Sequence, residues 1–267
     1  MPVPESALLD LALIKDATRE AGALAMRYFG APLKKWQKPG DGTPVTEADL
    51  AVNELLHGRL TGARPGYGWL SEESADNTGR QDSQRLFVID PIDGTIAFMK
   101  GKPHFAISVA LVEAGRPVIG ALFNPATDEF FEAVSGRGAL LNGNPIHTSA
   151  TTHIADSMMA ASESMFRHPA WPRPWPEMRF IQRNSVAYRI ALVAAGMADA
   201  ALALSSKNDW DLAAADLILH EAGGLLTTHT GAPLVYNQPV PRHPSLVAAN
   251  PALHRLLLDR VEAIRLP

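Results

Sequence analysis

The sequence contains no cysteine. A disulfide framework, a thiolate zinc site and a cysteine nucleophile are therefore excluded. Long hydrophobic runs are missing as well. Apolar stretches such as Phe87-Val88-Ile89 and Ala106-Ile107 are short, far from the ~20 residues of a membrane helix. No basic segment precedes an apolar core near Met1, so no secretory leader is expected. Nor is there an excess of positive charge. Lys and Arg number 24 against 28 Asp and Glu, a formal net charge of −4, which is not the footprint of a protein that binds nucleic-acid polymers. What is present is ordinary for a globular chain: 46% hydrophobic residues over 267 positions. A chain of that length buries about three quarters of its unfolded surface. The expectation is a soluble, cytoplasmic globular protein with no membrane partner.

Hydrophobic spacing predicts an amphipathic helix over 6–29, with Leu8, Leu9, Ala12, Ile14, Ala17, Ala21, Leu24 and Tyr28 at helical intervals. The basic, Gly- and Pro-rich stretch Lys34–Pro44 reads as a mobile loop. A second helix begins near Thr46, with Val52, Leu55, Leu56 and Leu60 as its stripe. The period then shortens. Short β-rich runs at 67–70, 86–89, 106–111, 118–123 and 129–134 read as an antiparallel meander, with turns at 113–117 and 124–128. A proline-rich segment, Arg167–Met178, separates it from a final α/β part. There, helices are predicted at 185–195, 210–222 and 252–264, and strands at 200–204, 225–228 and 247–249. The expected layering is helices, sheet, helices, sheet, helices. Residues 1–150 would form an N-terminal α+β part and 151–267 a C-terminal α/β part of one catalytic unit.

The stretch Phe87-Val88-Ile89-Asp90-Pro91-Ile92-Asp93-Gly94-Thr95 carries the most chemical information. An apolar strand ends in two carboxylates three residues apart, with Pro91 fixing φ between them and Gly94 relieving the turn. Backbone N–H groups at Gly94 and Thr95 would open the next segment toward an anion. Alone, this could be a solvated turn. Three further acidic junctions weaken that alternative: Thr46-Glu47-Ala48-Asp49, Ser71-Glu72-Glu73-Ser74, and Asn208-Asp209-Trp210-Asp211. Each has a bland reading as a helix cap or first turn. If Glu72, Asp90, Asp93 and Asp211 converge, they cannot all ionise without cations. An oxygen-only donor set selects a hard cation, Mg²⁺ first. Carboxylate-held metal pairs suit phosphoryl transfer.

The set Lys38, Val45-Thr46-x-Ala48-Asp49, Ser71-Glu72-Glu73-Ser74, Asp90-Pro91-Ile92-Asp93-Gly94-Thr95 and Trp210-Asp211-x-Ala213-Ala214-Ala215, followed by Glu221-Ala222-Gly223-Gly224, resembles the inositol monophosphatase family. That family includes the 3′(2′),5′-bisphosphate nucleotidases and relatives of fructose-1,6-bisphosphatase. The resemblance implies an α/β, five-layered αβαβα fold, lithium-sensitive phosphomonoester hydrolysis with two to three Mg²⁺ per site, and a homodimer. By motif position it implies one metal on Glu72, Asp90 and the Ile92 carbonyl. A second would use Asp90, Asp93 and Asp211, and a third would sit on Glu72. Glu72 and Thr95 would orient the attacking water, supported by Thr46 and Asp49. Lys38 would belong to a mobile loop, and the phosphate would rest on the Gly94 and Thr95 amides.

Other chemistries lack their motifs. There is no Gly-x-Ser-x-Gly elbow and no phosphate-binding Gly-x-x-x-x-Gly-Lys-[Ser/Thr] loop. Asp90 and Asp93 are spaced i, i+3 and not the i, i+2 of a haloacid-dehalogenase-type pair. Gly136-Arg137-Gly138 reads as a hairpin turn. The 9 His show no metal spacing. Trp171 and Trp175 read as packing. For the substrate, Ala203–Asn208 offers no carboxylate to inositol hydroxyls, and Asn184-Ser185-Val186-Ala187 also departs from the inositol-specific pattern. Phe98-Met99-Lys100 is similar to the nucleotidase branch. The expected substrate contacts are Lys100, Lys102, Ser185, Ser205 and Lys207. The first expectation is therefore 3′-phosphoadenosine 5′-phosphate. The alternatives are inositol-1-phosphate or a range of sugar phosphates, and, in another class, a non-catalytic metal-binding regulatory dimer.

Overall fold

The computed structural model describes residues 5–38, 42–169 and 171–266. Helices α1 (Glu5–Tyr28) and α2 (Glu47–Ala63) lie side by side. They bury Ile14, Ala17, Ala21 and Ala25 from one and Val52, Leu56 and Leu60 from the other, the stripe that the sequence displays. The stretch Lys34–Pro44 is not simply a loop. Strands β1 (Lys35–Gln37) and β2 (Pro44–Thr46) pair antiparallel within it; residues 39–41, where the expected mobile loop would turn, lie outside the described residues. Trp36, Val45 and Thr46 are strand formers.

The large sheet has the order β3 (Gly68–Ser71), β4 (Arg85–Asp93), β5 (Ala106–Glu113), β6 (Arg116–Asn124), β7 (Glu129–Val134), β8 (Ala139–Leu141) and β9 (Asn144–Ile146). From β4 onward it is the expected antiparallel meander. Strand β3, however, runs parallel to β4. The stretch from Ser71 to Arg85 has the dozen or so residues that a parallel crossover requires. Both faces of this sheet are covered. Phe87 and Ile89 face α1 and α2, whereas Leu86 and Val88 face the opposite core, which is why the strand reads as an unbroken apolar run.

After the short α3 (Thr95–Met99), β10 (Met158–Met159), α4 (Glu163–Phe166) and β11 (Arg179–Phe180), the chain forms α5 (Val186–Ala194), β12 (Ala200–Ala203) and β13 (Lys207–Asn208). Then come α6 (Asp209–Glu221), β14 (Leu225–Thr227), β15 (Arg242–His243), β16 (Leu246–Ala249) and α7 (Pro251–Val261). The second sheet has the order β11-β10-β12-β16-β14. Helices α5 and α6 fill the space between the two sheets, with Ala201, Ala203, Leu246 and Ala248 pointing into that core. Ala200, Leu202, Val247 and Ala249 point the other way, onto Leu253, Leu257 and Val261 of α7. The result is five layers: α1/α2, large sheet, α5/α6, second sheet, α7. Trp171 and Trp175 pack edge to face, 5.1 Å between centroids, against this outer core. The hairpin between β7 and β8 presents the N–H groups of Gly136, Arg137 and Gly138 to the Glu221 carboxylate at 2.7–2.9 Å.

One close approach sets how the middle layer sits. A Cβ on Gly120 of β6 would stand 2.7 Å from the Ala214 carbonyl oxygen of α6. Only glycine lets the backbone of α6 lie this near the sheet, and α6 carries Asp211.

Candidate active site

In a regular strand, residues three apart point to opposite faces. Strand β4 escapes this. Asp90 pairs with Ser108 and Asp93 with Ala106, so three steps on β4 oppose two on β5. This extra residue is a bulge, at the one kind of interior position where Pro91 does not remove a needed ladder bond. The bulge turns Asp90 and Asp93 toward one point, and the first turn of α6 brings Asp211 to it. One ligand oxygen from each of the three lies within 4.8 Å of the others. Asp90 and Asp93 are buried and Asp211 half-buried.

Each acid is anchored through a single carboxylate oxygen. The Ile92 N–H donates to Asp90 Oδ1 at 3.1 Å. The Ser185 hydroxyl and the Ala187 N–H donate to Asp93 Oδ2 at 2.6 and 2.7 Å. The Asn208 N–H donates to Asp211 Oδ2 at 2.8 Å. Withdrawal from solvent, then the charges of Glu72, Asp93 and Asp211, raises the Asp90 pKa well above the usual carboxylate range. Burial likewise raises Asp93, against the pull of its Ser185 and Ala187 hydrogen bonds. Burial and the Asp93 charge push Asp211 up to about 7. Converging acids that resist ionisation are costly in a core unless a cation joins them. Three hard oxygen donors with no nitrogen or sulfur suit a divalent metal of that class, so the residues present fit a metal ion.

The remaining predicted residues surround this trio at different distances. Glu72, the first residue past β3, is not in the tight group. Its Oε1 accepts from Lys38 Nζ at 2.7 Å, while its charge still acts on Asp90 and Asp211. Lys38 also lies 2.7 Å from Glu73 Oε1. The two glutamates hold the Lys38 pKa up, although burial works against them. Burial pushes Glu73 up to about 7. Thr95 Oγ1 lies 3.1 Å from both Asp49 Oδ1 and the Ile92 carbonyl. Thr46 donates its hydroxyl and its N–H to Asp49 Oδ2. Burial raises the Asp49 pKa despite these bonds. Gly94 has φ +99°, and a Cβ there would meet the His104 carbonyl at 2.8 Å and the Ser185 nitrogen at 3.0 Å. The turn is therefore restricted to glycine twice over, by conformation and by space.

The expected substrate contacts are distributed differently. Ser185 is fully buried; its hydroxyl binds Asp93 and accepts from the Tyr188 N–H, capping α5. Its hydrogen bond holds Asp93 in place. Lys100 and Lys102 are exposed on the turn after α3. Lys207 Nζ donates to Ser205 Oγ at 2.9 Å and to the Ser206 carbonyl at 3.1 Å, and the charges of Asp211 and Asp93 act on it. Two residues escaped the sequence reading. Glu73 was visible only as part of its motif. Arg189 sits one turn after Ser185, donates to the Ser185 carbonyl at 3.3 Å, and feels the charges of Asp93 and Asp211. The signal for it was the Ser185 N-cap followed at i+4 by a cation.

No helix among the described residues is long and apolar enough to cross a membrane. The family model described as "Inositol monophosphatase family" matches residues 9–266. An inositol-1-monophosphatase of Caulobacter vibrioides is 32% identical over 93% of this chain and 99% of its own. A histidinol-phosphatase of Mycobacterium tuberculosis is 36% identical over 95% of this chain and 98% of its own. An IMPase structure from Thermotoga maritima superposes with a TM-score of 0.82 at 28% identity, covering 96% of both chains.

Proposed function

We propose, from the premise that the chain belongs to the inositol monophosphatase family and is a phosphoric monoester hydrolase, that it hydrolyses a small phosphomonoester with Mg²⁺ at Asp90, Asp93 and Asp211. The observation that carries this reading is the convergence of those three carboxylates to within 4.8 Å. Asp90, Asp93 and Asp211, with Glu72 and the Ile92 carbonyl, would hold two to three ions. When bound, such ions neutralise phosphate charge and make a water nucleophilic at neutral pH. The protein's own groups do the rest. Thr95 donates to Asp49, which leaves its hydroxyl oxygen to accept a hydrogen bond from the attacking water, with Glu72 as the second orienting group. Thr46 fixes Asp49 from behind. The Gly94 and Thr95 amides receive the phosphate. Lys38 balances Glu72 and Glu73 from the β1–β2 ribbon.

The relatives carry the names of two different alcohols, inositol and histidinol. The shared element is the phosphate, and neither name supports a bisphosphate nucleotide as first choice. The test is phosphate release from inositol-1-phosphate, histidinol phosphate and 3′-phosphoadenosine 5′-phosphate, with Mg²⁺ and with a chelator. Release from at least one, abolished by the chelator, is expected. No release from any would overturn the reading and favour a regulatory metal-binding role. Lithium inhibition and a dimer in solution belong to the same proposal, checked by adding Li⁺ to that assay and by light scattering.

A further inference from the structure

We propose that Lys207 and Arg189 form a second anion-binding position beside the carboxylate trio, making them specificity-determining residues for phosphomonoesters that carry another negative group. The inference rests on the hydrolase reading and deepens it. Lys207 immediately precedes Asn208, whose N–H is held by Asp211. Arg189 lies one helical turn beyond Ser185, whose hydroxyl is held by Asp93. Each cation is thus tied, through one hydrogen-bonded neighbour, to a different member of the trio. Neither forms a salt bridge within 4 Å among the described residues. Both are instead held by neutral acceptors: Ser205 and the Ser206 carbonyl for Lys207, and the Ser185 and Asn184 carbonyls for Arg189. Neutral anchors fix the position of each cation, and the negative charges that act on both come from Asp93 and Asp211. Arg242, which pairs with Asn208 across the β13–β15 ribbon, adds a third positive charge that acts on Lys207. In a chain with a net charge of −4, these cations gather beside the carboxylate trio, whose Asp93 and Asp211 charges act on both Lys207 and Arg189.

A neutral polyol gains little from such a wall. A carboxylate or a second phosphate gains a charge-assisted contact, and the two share the chemistry recognised here. A matched set separates them: glycerol 3-phosphate, its carboxylate counterpart 3-phosphoglycerate, and propane-1,3-diol bisphosphate. The extra anion should raise kcat/KM by about tenfold or more over glycerol 3-phosphate, the value of one charge-assisted hydrogen bond. In Lys207→Ala that ratio should fall to within about twofold, and in the wild type it should shrink with salt if the contact is solvent-accessible. Arg189→Gln should act in the same direction, with its melting temperature measured alongside because the residue packs at the start of α5. Calorimetric binding of the non-hydrolysable phosphonates of the first two compounds repeats the comparison without turnover. A wild-type ratio near one, or a ratio unchanged in Lys207→Ala, overturns the inference. Absence of hydrolysis in every arm overturns the hydrolase reading instead, and the phosphonate pair then decides the anion position alone.

Discussion

Asp10 and Asp90 are equally buried, each 1% exposed, and the fold surrounds them in opposite ways. Asp10, on α1, receives Arg64 Nε at 2.7 Å, Arg85 at 3.0 Å and the Tyr67 hydroxyl at 2.9 Å. Every neighbour complements its charge, and the four residues tie α1 to the end of α2 and the start of β4. Asp90 instead faces Glu72, Asp93 and Asp211. The same side chain at the same depth is a clamp in one place and an unfinished site in the other. Burial of an acid is thus not itself a sign of function; the sign is burial among like charges.

The sharpest break in this comparison is Asp93→Asn. Removing the charge of a proposed ligand while keeping its shape should lower kcat by 100-fold or more, since even groups that merely support metal ligands are worth ~10–100-fold. The metal-free protein should melt no lower than the wild type, because one like charge has left the cluster. Near-normal turnover at limiting Mg²⁺ would refute the assignment. Thr95→Ala comes next, with kcat down roughly 100-fold, the lower end for a positioned proton-transfer group, and KM moved far less. A change confined to KM would make Thr95 a binding group.

The clamp should respond in the reverse manner. Asp10→Asn leaves two guanidinium groups facing each other and should cost about 3 kcal/mol, at the low end for a broken buried pair because Arg64 and Arg85 are 29% and 24% exposed. Thermal denaturation should show it, while kcat in the surviving folded protein stays within about twofold. A stable, inactive Asp10→Asn would erase the distinction between the two regions.

The remaining contrast is in pH. Asp211 titrates near 7 in the folded chain against an ordinary 3.8. The folded state therefore binds more protons than the unfolded one between about pH 4 and 7, and this contribution to stability falls as pH rises through that window. Asp211→Asn should thus gain stability over the metal-free wild type at pH 8 and lose most of that gain at pH 5. Saturating Mg²⁺ should abolish the difference or reverse it. A variant advantage that is flat with pH would show that Asp211 ionises normally.

Much of this was legible in the sequence. The helical stripes of α1 and α2, the meander and the four acidic junctions depend on local spacing, which a linear reading captures. The convergence of Asp90 with Asp93 was expected from Pro91 and Gly94, but its cause was not: the bulge exists only relative to β5. The β1–β2 ribbon was hidden because Gly, Pro and Lys dominate the composition of Lys34–Pro44. Ser185 was read as a substrate contact; the hydrogen bond it makes to Asp93 was not legible, since nothing near it in sequence announces Asp93. Arg189 was missed for the same reason. Its significance depends on two carboxylates that arrive from β4 and α6.

Ser185 follows Asp93 by 92 residues, and Asp211 lies further still along the chain. Closing that span has an entropic cost that local structure cannot offset early. A partly folded chain that has paired β4 with β5 therefore carries Asp90 and Asp93 without the Ser185 and Ala187 hydrogen bonds to Asp93 and without the third carboxylate, Asp211. An ion held by the proposed trio would be captured only after the middle helical layer has docked, and would stabilise the last stage of folding and not the first. Uptake of metal during refolding should for that reason track the slowest structural phase, and a chain that stalls before α6 docks should remain metal-poor however much Mg²⁺ surrounds it.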